Sequence, residues 1–242
     1  QGAYLTDALY YLGTCYRTSG EELRELETLE QLAAQGQNQY TLGTLERLSE
    51  AAFAQKRYAT AAEADKRLSE CAPTERERGA ALERYVRALL AAGDREAILA
   101  AGDVVESRKE ATPEALRRLR FARASILRER GQEKEALALY EQLRQEVRTA
   151  EGAEAMYRVI ESKFRAGDDK TTEKMIFDFA DMPSPDNYWL ARAYLLLGDL
   201  YLKQGDNFQA RATYQSVADG YSPADDGIVA EARSRIAKMN QP

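Results

Sequence analysis

The feature that most constrains this chain is a spacing of glycines. Gly93, Gly131, Gly167 and Gly205 follow one another at intervals of 38, 36 and 38 residues, and the 73 residues from Gly20 to Gly93 make nearly two such steps. Lys56 falls near the middle of that long interval, where the same punctuation is expected. Each position lies between two apolar stretches of helical length. A glycine there adopts positive φ without a Cβ penalty, ends the first helix and lets the chain double back. A fixed period of roughly 20–50 residues, with two helices per unit, is the mark of a solenoid in which neighbouring units bury one another's apolar faces.

Composition agrees and also excludes. Ala, Leu, Glu and Arg dominate, all of them good helix formers, and β-branched runs of the kind strands prefer are missing. The 242 residues are 44% apolar and 31% charged, which suits a folded, soluble chain of about six helix pairs. With a formal charge of −6 the chain is not expected to take nucleic acid as its main partner, since phosphate binding draws on concentrated positive surface. The absence of histidine removes His-dependent acid–base and nucleophilic catalysis and nearly all zinc and haem sites, so an enzyme, a cofactor or a metal is not expected. Cys15 and Cys71 stand 56 residues apart, too far for a close metal-ligand pair, and are expected to be small, semi-buried apolar residues. No run approaches the ~20 apolar residues of a membrane span. The chain opens at Gln1, already inside a helical pattern, and reads as a processed or trimmed product. A signal peptide or lipid-anchored cysteine would lie outside it.

The last unit is the most legible. Tyr194, Leu197, Gly198 and Tyr201 precede Gly205, and Ala210, Tyr214 and Val217 follow, with Pro223 beyond. This resembles the tetratricopeptide repeat, in which a large residue, a Leu-Gly pair and an aromatic occupy the first helix and a small residue and an aromatic the second. The resemblance implies an all-α, right-handed α-α superhelix, with Gly198 and Ala210 at the closest helix crossing and Tyr201 and Tyr214 filling the space around it. Laid along residues 1–242 as a single array, the same frame starts repeats near Thr6, Leu42, Gly79, Arg117, Ala153 and Ala191. Departures cluster in the middle: Asp65 replaces an aromatic, Arg120 and Arg123 take usually apolar sites, and Val86, Ile98, Ile160 and Thr172 are poor at the crossing. Wider helix spacing is expected there than in the last repeat.

Pro73, Pro113, Pro183, Pro185 and Pro223 mark turns between repeats, and Thr112-Pro113-Glu114 reads as an N-cap followed by a first-turn proline. A terminal helix is expected over about 224–240, with Ile228, Val229, Ala232, Ile236 and Met239 covering the last repeat. At the other end Tyr4, Leu5, Leu9, Tyr10, Tyr11 and Leu12 are apolar on several sides, as if further repeats precede them.

In the family the first helix of each pair lines the concave surface through its second, fifth, ninth and twelfth positions. Carried onto this chain, the resemblance nominates Tyr10, Arg17, Phe53, Arg87, Phe121, Arg128, Tyr157 and Phe164 as a partner-binding groove, with Glu46, Glu50, Glu83, Glu161 and Asp199 also at fifth or ninth positions. Aromatic and arginine side chains are the types enriched in binding hot spots, yet the same residues could equally pack between repeats. Lys and Asn, which chaperone-tail receptors of the family use to clamp a terminal carboxylate, are missing from the fifth and ninth positions. The arginines of 117–130 form either a solvated face answered by acids on neighbouring helices or a dock for an acidic partner. Adjacent acids at Glu21-Glu22, Asp168-Asp169 and Asp225-Asp226 suit helix beginnings. Trp189 either packs on the preceding repeat or anchors a partner.

The segments 186–194 and 203–210 look like bacterial repeat proteins of the cell envelope. The expected function is a non-enzymatic scaffold that holds a peptide or protein segment in its groove during envelope assembly, in the periplasm or at the outer membrane. A glycan-binding module on the same scaffold and a purely architectural segment of a larger repeat protein stay open beside it.

Overall fold

The computed structural model describes residues 2–183, 186–223 and 225–240, so Ser184 and Pro185 of the expected linker lie outside the described residues. Among these the fold is all-α, with thirteen helices and no strand: six hairpins and a terminal helix. Two compact units divide the chain, residues 1–123 and 124–242. The first holds α1 (Gly2–Ser19), α2 (Glu22–Ala33), α3 (Thr41–Ala54), α4 (Tyr58–Cys71), α5 (Glu75–Ala92), α6 (Arg95–Glu106) and the start of α7 (Pro113–Glu129). The second holds the end of α7, then α8 (Glu133–Leu143), α9 (Ala150–Arg165), α10 (Asp169–Asp181), α11 (Asn187–Lys203), α12 (Asn207–Gly220) and α13 (Ile228–Met239).

The punctuation works as its chemistry requires. Gly20, Gly93, Gly131, Gly167 and Gly205 all have φ between 70° and 82°. Lys56, at the vacant beat of the period, has φ 60° and is the one non-glycine residue with positive φ among the described residues. Its turn closes like those of its glycine counterparts: Arg57 N–H donates to Ala52 O at 2.8 Å, as Glu21 does to Tyr16 O and Asp206 to Tyr201 O, both at 2.9 Å. Each is the six-to-one bond of a Schellman turn. A side chain in that conformation costs about 1 kcal/mol.

Helix starts are capped locally. Thr74 and Glu77 form a reciprocal capping box, Thr112 Oγ1 accepts from Ala115 N–H, and Asp94, Asp168, Asp186 and Asp206 each accept from first-turn amides. Because these caps sit a turn ahead of the repeat frame, α5 begins at Glu75 and α7 at Pro113, earlier than Gly79 and Arg117. The terminal helix begins at Ile228, later than expected, because Gly227 turns the chain at φ 91° and Asp226 accepts from Ile228 N–H.

In the hairpins of α1–α2, α3–α4 and α11–α12, a residue of the first helix meets one 16 positions later. In the last hairpin Gly198 faces Tyr214, and a Cβ on Gly198 would come within 2.3 Å of the ring. The degenerate hairpins keep the volume and change the parts. Ser49 faces Asp65, donating its hydroxyl at 2.7 Å, and burial pushes the Asp65 carboxyl up while Ser49 and Arg84 pull it back. Val86 is buried and the space over Gly102 is taken by the Arg123 side chain of the next repeat, while Ile160 and Ile176 are both fully buried in one apolar cluster. Complementary sizes, not one residue set, keep the interior filled. The backbones of α5 and α6 still run close over much less of their length than those of α11 and α12, as the oversized crossing residues lead one to expect.

Polar side chains also reach back one repeat. Arg67 donates to Ala33 O at 3.1 Å and Arg108 to Ser69 O at 2.6 Å, each meeting an open carbonyl in the last turn of α2 or α4. At the C-terminal edge Ile228, Val229 and Ala232 are buried against α11 and α12, with Ile236 and Met239 packed beside them. At the N-terminal edge Leu9 is buried, while Tyr4 and Tyr11 are 83% and 62% exposed.

Candidate functional site

The first helices of the hairpins carry the nominated residues, and the two units place them differently. In the first unit Phe53 of α3 and Arg87 of α5 come together: the guanidinium carbon lies 4.4 Å from the ring centroid, a cation–π distance. Tyr58 meets the same ring edge-on at 5.0 Å. Arg87 is exposed and holds no ion pair among the described residues. Around this contact the helical spacing sets two short rows, Glu46, Glu50 and Phe53 on α3 and Glu83, Arg87 and Leu90 on α5. The three carboxylates are exposed and, like Arg87, have no ion-pair partner among the described residues.

Tyr10 lies apart from that contact. Its ring stacks on Tyr40 at 4.1 Å, and Tyr40 donates its hydroxyl to Asp7 at 2.7 Å. That bond, with burial, pushes the Tyr40 phenol up to about 12. Tyr40 is a partner the repeat pattern gives no reason to expect, because it belongs to the linker before α3. Arg17 is exposed and lines a cleft of about 270 Å³ with Glu50 and with Arg47, which is itself held by Glu25 at 2.6 Å. Phe121 is half-buried on α7.

In the second unit the equivalent face is closed by its own side chains. Tyr157 is 4% exposed, so packing between repeats describes it; burial, first of all, pushes its phenol up. Trp189 lies 5.4 Å from it, and Arg158 and Arg192 flank the pair at 5.2–5.5 Å from the Trp and Tyr rings. Trp189 therefore packs on the preceding repeat. Neither arginine was nominated from the sequence, since the repeat pattern names positions and not who stacks on whom. At the ninth position Glu161 receives Arg158 at 3.3 Å and Arg165 at 3.0 Å. Asp199 receives the Tyr214 hydroxyl at 2.6 Å and Arg235 of α13 at 2.9 Å. Phe164 is half-buried with the Lys203 ammonium 5.8 Å from its ring, and Lys203 is held by Asp169 at 2.7 Å. Arg128 lines a cleft of about 190 Å³ with Glu133, Tyr140, Arg158 and Arg165, and holds no ion pair among the described residues.

The arginine-rich helix is answered by acids. Arg123 pairs with Glu106 at 2.8 Å, Arg120 with the same carboxylate at 3.5 Å, and Arg118 with Glu114 at 3.8 Å. The Arg123 guanidinium lies over Gly102, where a Cβ would fall 1.9 Å from its central carbon. Cys71 is half-buried, but Cys15 is exposed on the outer face of α1, against expectation for a packed residue, because α1 has no neighbour on that side among the described residues. Among the described residues no group of three or more Cys, Asp or Glu could hold a metal ion, and no helix is long and apolar enough to cross a membrane.

A family model for the tetratricopeptide repeat matches residues 192–222. A tetratricopeptide repeat protein from Parabacteroides merdae ATCC 43184 aligns over 95% of this chain and 99% of its own, at 15% identity and TM-score 0.37. BtubC (BKLC) from P. vanneervenii aligns over 89% and 94%, at 15% identity and TM-score 0.44. No curated protein matches.

Proposed function

We propose that this chain, whose residues 192–222 match a family model for the tetratricopeptide repeat, is a non-enzymatic scaffold that holds a peptide or protein segment on the first helices of its repeats, in the assembly of a bacterial cell envelope. Repeats of this family mediate protein–protein interaction. The observation that carries the reading is the Phe53–Arg87 contact: an aromatic and an exposed guanidinium are held together, and the arginine forms no ion pair among the described residues, the buried Asp65 feeling its charge without bonding to it. Such a pre-positioned, partly desolvated pair loses little entropy when a partner arrives. The envelope assignment rests on the likeness of 186–194 and 203–210 to bacterial envelope repeat proteins, and with it goes a periplasmic or outer-membrane location.

The test is a cross-linked pull-down from the native cell, identified by mass spectrometry, with a folded Phe53→Ala/Arg87→Ala double variant beside the wild type. A protein recovered with the wild type and lost with the variant supports the scaffold and names its client. Equal recovery by both moves the binding surface off this face and overturns the reading.

A further inference from the structure

The first unit's face carries a charge pattern that the second unit's does not, and that pattern selects a partner. Glu46 and Glu50 lie one helical turn apart on α3, and Glu83 sits at the corresponding position of α5. The contact of Arg87 with Phe53 brings the two rows side by side. All three carboxylates are exposed and unpaired among the described residues, in a chain where most arginines are already bonded to an acid or a carbonyl. Arg47, the basic side chain nearest Glu50 on its own helix, is engaged by Glu25 and by the Gly13 carbonyl. What is left toward solvent is negative charge on one side and, toward the C-terminal ends of both helices, the apolar ground of Phe53, Tyr58 and Leu90.

We propose that this face docks a basic amphipathic peptide segment of a partner protein. Lysine or arginine side chains of the segment meet Glu46, Glu50 and Glu83, and an aliphatic side chain lies on Phe53 and Leu90. The exposed Arg87 between the two zones repels a cation placed there, so the segment lies with its apolar residue at that end and binds in one direction. An acidic segment would have the guanidinium of Arg87 and, across the cleft from Glu50, that of Arg17 to gain, against three carboxylates to oppose. The inference rests on the protein-binding reading above and adds the chemistry of the bound segment.

The experiment uses the whole chain and two fluorescein-labelled peptide amides of about nine residues. One alternates lysine with leucine, and the other carries glutamate in place of lysine. Anisotropy titration is expected to show binding of the lysine peptide, weakened as salt rises past the Debye regime, and none of the glutamate peptide. A Glu46→Gln/Glu50→Gln/Glu83→Gln variant should bind the lysine peptide about tenfold more weakly, the sum of three partly exposed ion pairs. Its circular dichroism should be unchanged, since the three groups touch no other charge. A Glu161→Gln variant, altered in the second unit, should bind like the wild type.

Failure of the lysine peptide to bind, equal binding of both peptides, or a triple variant that binds undiminished would each overturn the inference. If the lysine peptide fails while Phe53→Ala/Arg87→Ala still loses its cross-linked protein, only the basic-partner chemistry falls and the scaffold stands.

Discussion

The ninth position of the first helix carries an acid in both units, and the two units treat it in opposite ways. Glu50 in the first unit faces solvent in the cleft it shares with Arg17 and Arg47, and forms no ion pair among the described residues. Glu161 and Asp199 in the second are each bound twice, by Arg158 and Arg165 and by Tyr214 and Arg235. The fifth position repeats the contrast, with Glu46 and Glu83 exposed in one unit and Tyr157 and Leu195 buried in the other. At these positions the second unit's acids hold its own helices, including the terminal α13, whereas the first unit's form no ion pair among the described residues. Residue type at a repeat position therefore does not identify a binding residue. What separates the two units at these positions is whether the charge is open or already answered.

The largest test of that contrast falls on the packing of the second unit. Gly198→Ala puts a methyl 2.3 Å from the Tyr214 ring, and the ring cannot retreat from a filled interior, so denaturant unfolding should show a loss of about 3 kcal/mol. Gly102→Ala in the first unit meets only the end of the flexible Arg123 side chain and should cost about 1 kcal/mol. Equal losses at the two glycines would show that the interiors are not packed differently.

Next comes the cap. Arg235 joins α13 to Asp199 at 2.9 Å and to Glu231 at 2.6 Å. Arg235→Ala leaves a half-buried Asp199 with the Tyr214 hydroxyl alone, and should cost about 2 kcal/mol once solvent screening is allowed for. Hydrogen exchange in α13 should rise in the same variant; unchanged exchange would mean that apolar contacts alone hold the helix.

The direct comparison of equivalent acids is smaller. Glu161→Gln removes the negative charge that two guanidiniums share and should lower the midpoint of thermal unfolding by an amount worth about 1 kcal/mol. Glu50→Gln should leave stability within about 0.5 kcal/mol of the wild type. A stability loss at Glu50 as large as at Glu161 would erase the distinction between open and answered charge. Last, Lys56→Gly relieves a side chain held at φ 60° and should stabilise the first unit by about 0.5–1 kcal/mol. A loss instead would mean that the lysine's stem or charge outweighs its backbone strain.

How much of this was legible beforehand follows from how far each determinant reaches along the chain. Tyr214 was expected to fill the space around the crossing of Gly198, and its ring is there; of the two readings of the arginine-rich helix, the one answered by acids describes Arg118, Arg120 and Arg123. Val86 was read as oversized at its crossing, and the filling of the space over Gly102 by Arg123 of the next repeat was missed because the frame asks what belongs at one position, not what a neighbouring repeat supplies. Tyr157 and Phe53 occupied parallel places in the list of candidates. One is buried under Trp189 and the other stays at the surface beneath Arg87, and neither outcome follows from the repeat.

The sequence by itself determined the turns, the caps and the number of hairpins. A left-handed glycine, a Thr or Asp cap and a first-turn proline act within about six residues, so their meaning is local. Only the tertiary structure decided which charges remain open. Arg235 and Asp199 are 36 residues apart, and Arg47 and Glu25 are 22. Charges so distant in the chain neutralise one another only when packed helices bring them within hydrogen-bond reach, at a distance no spacing rule supplies.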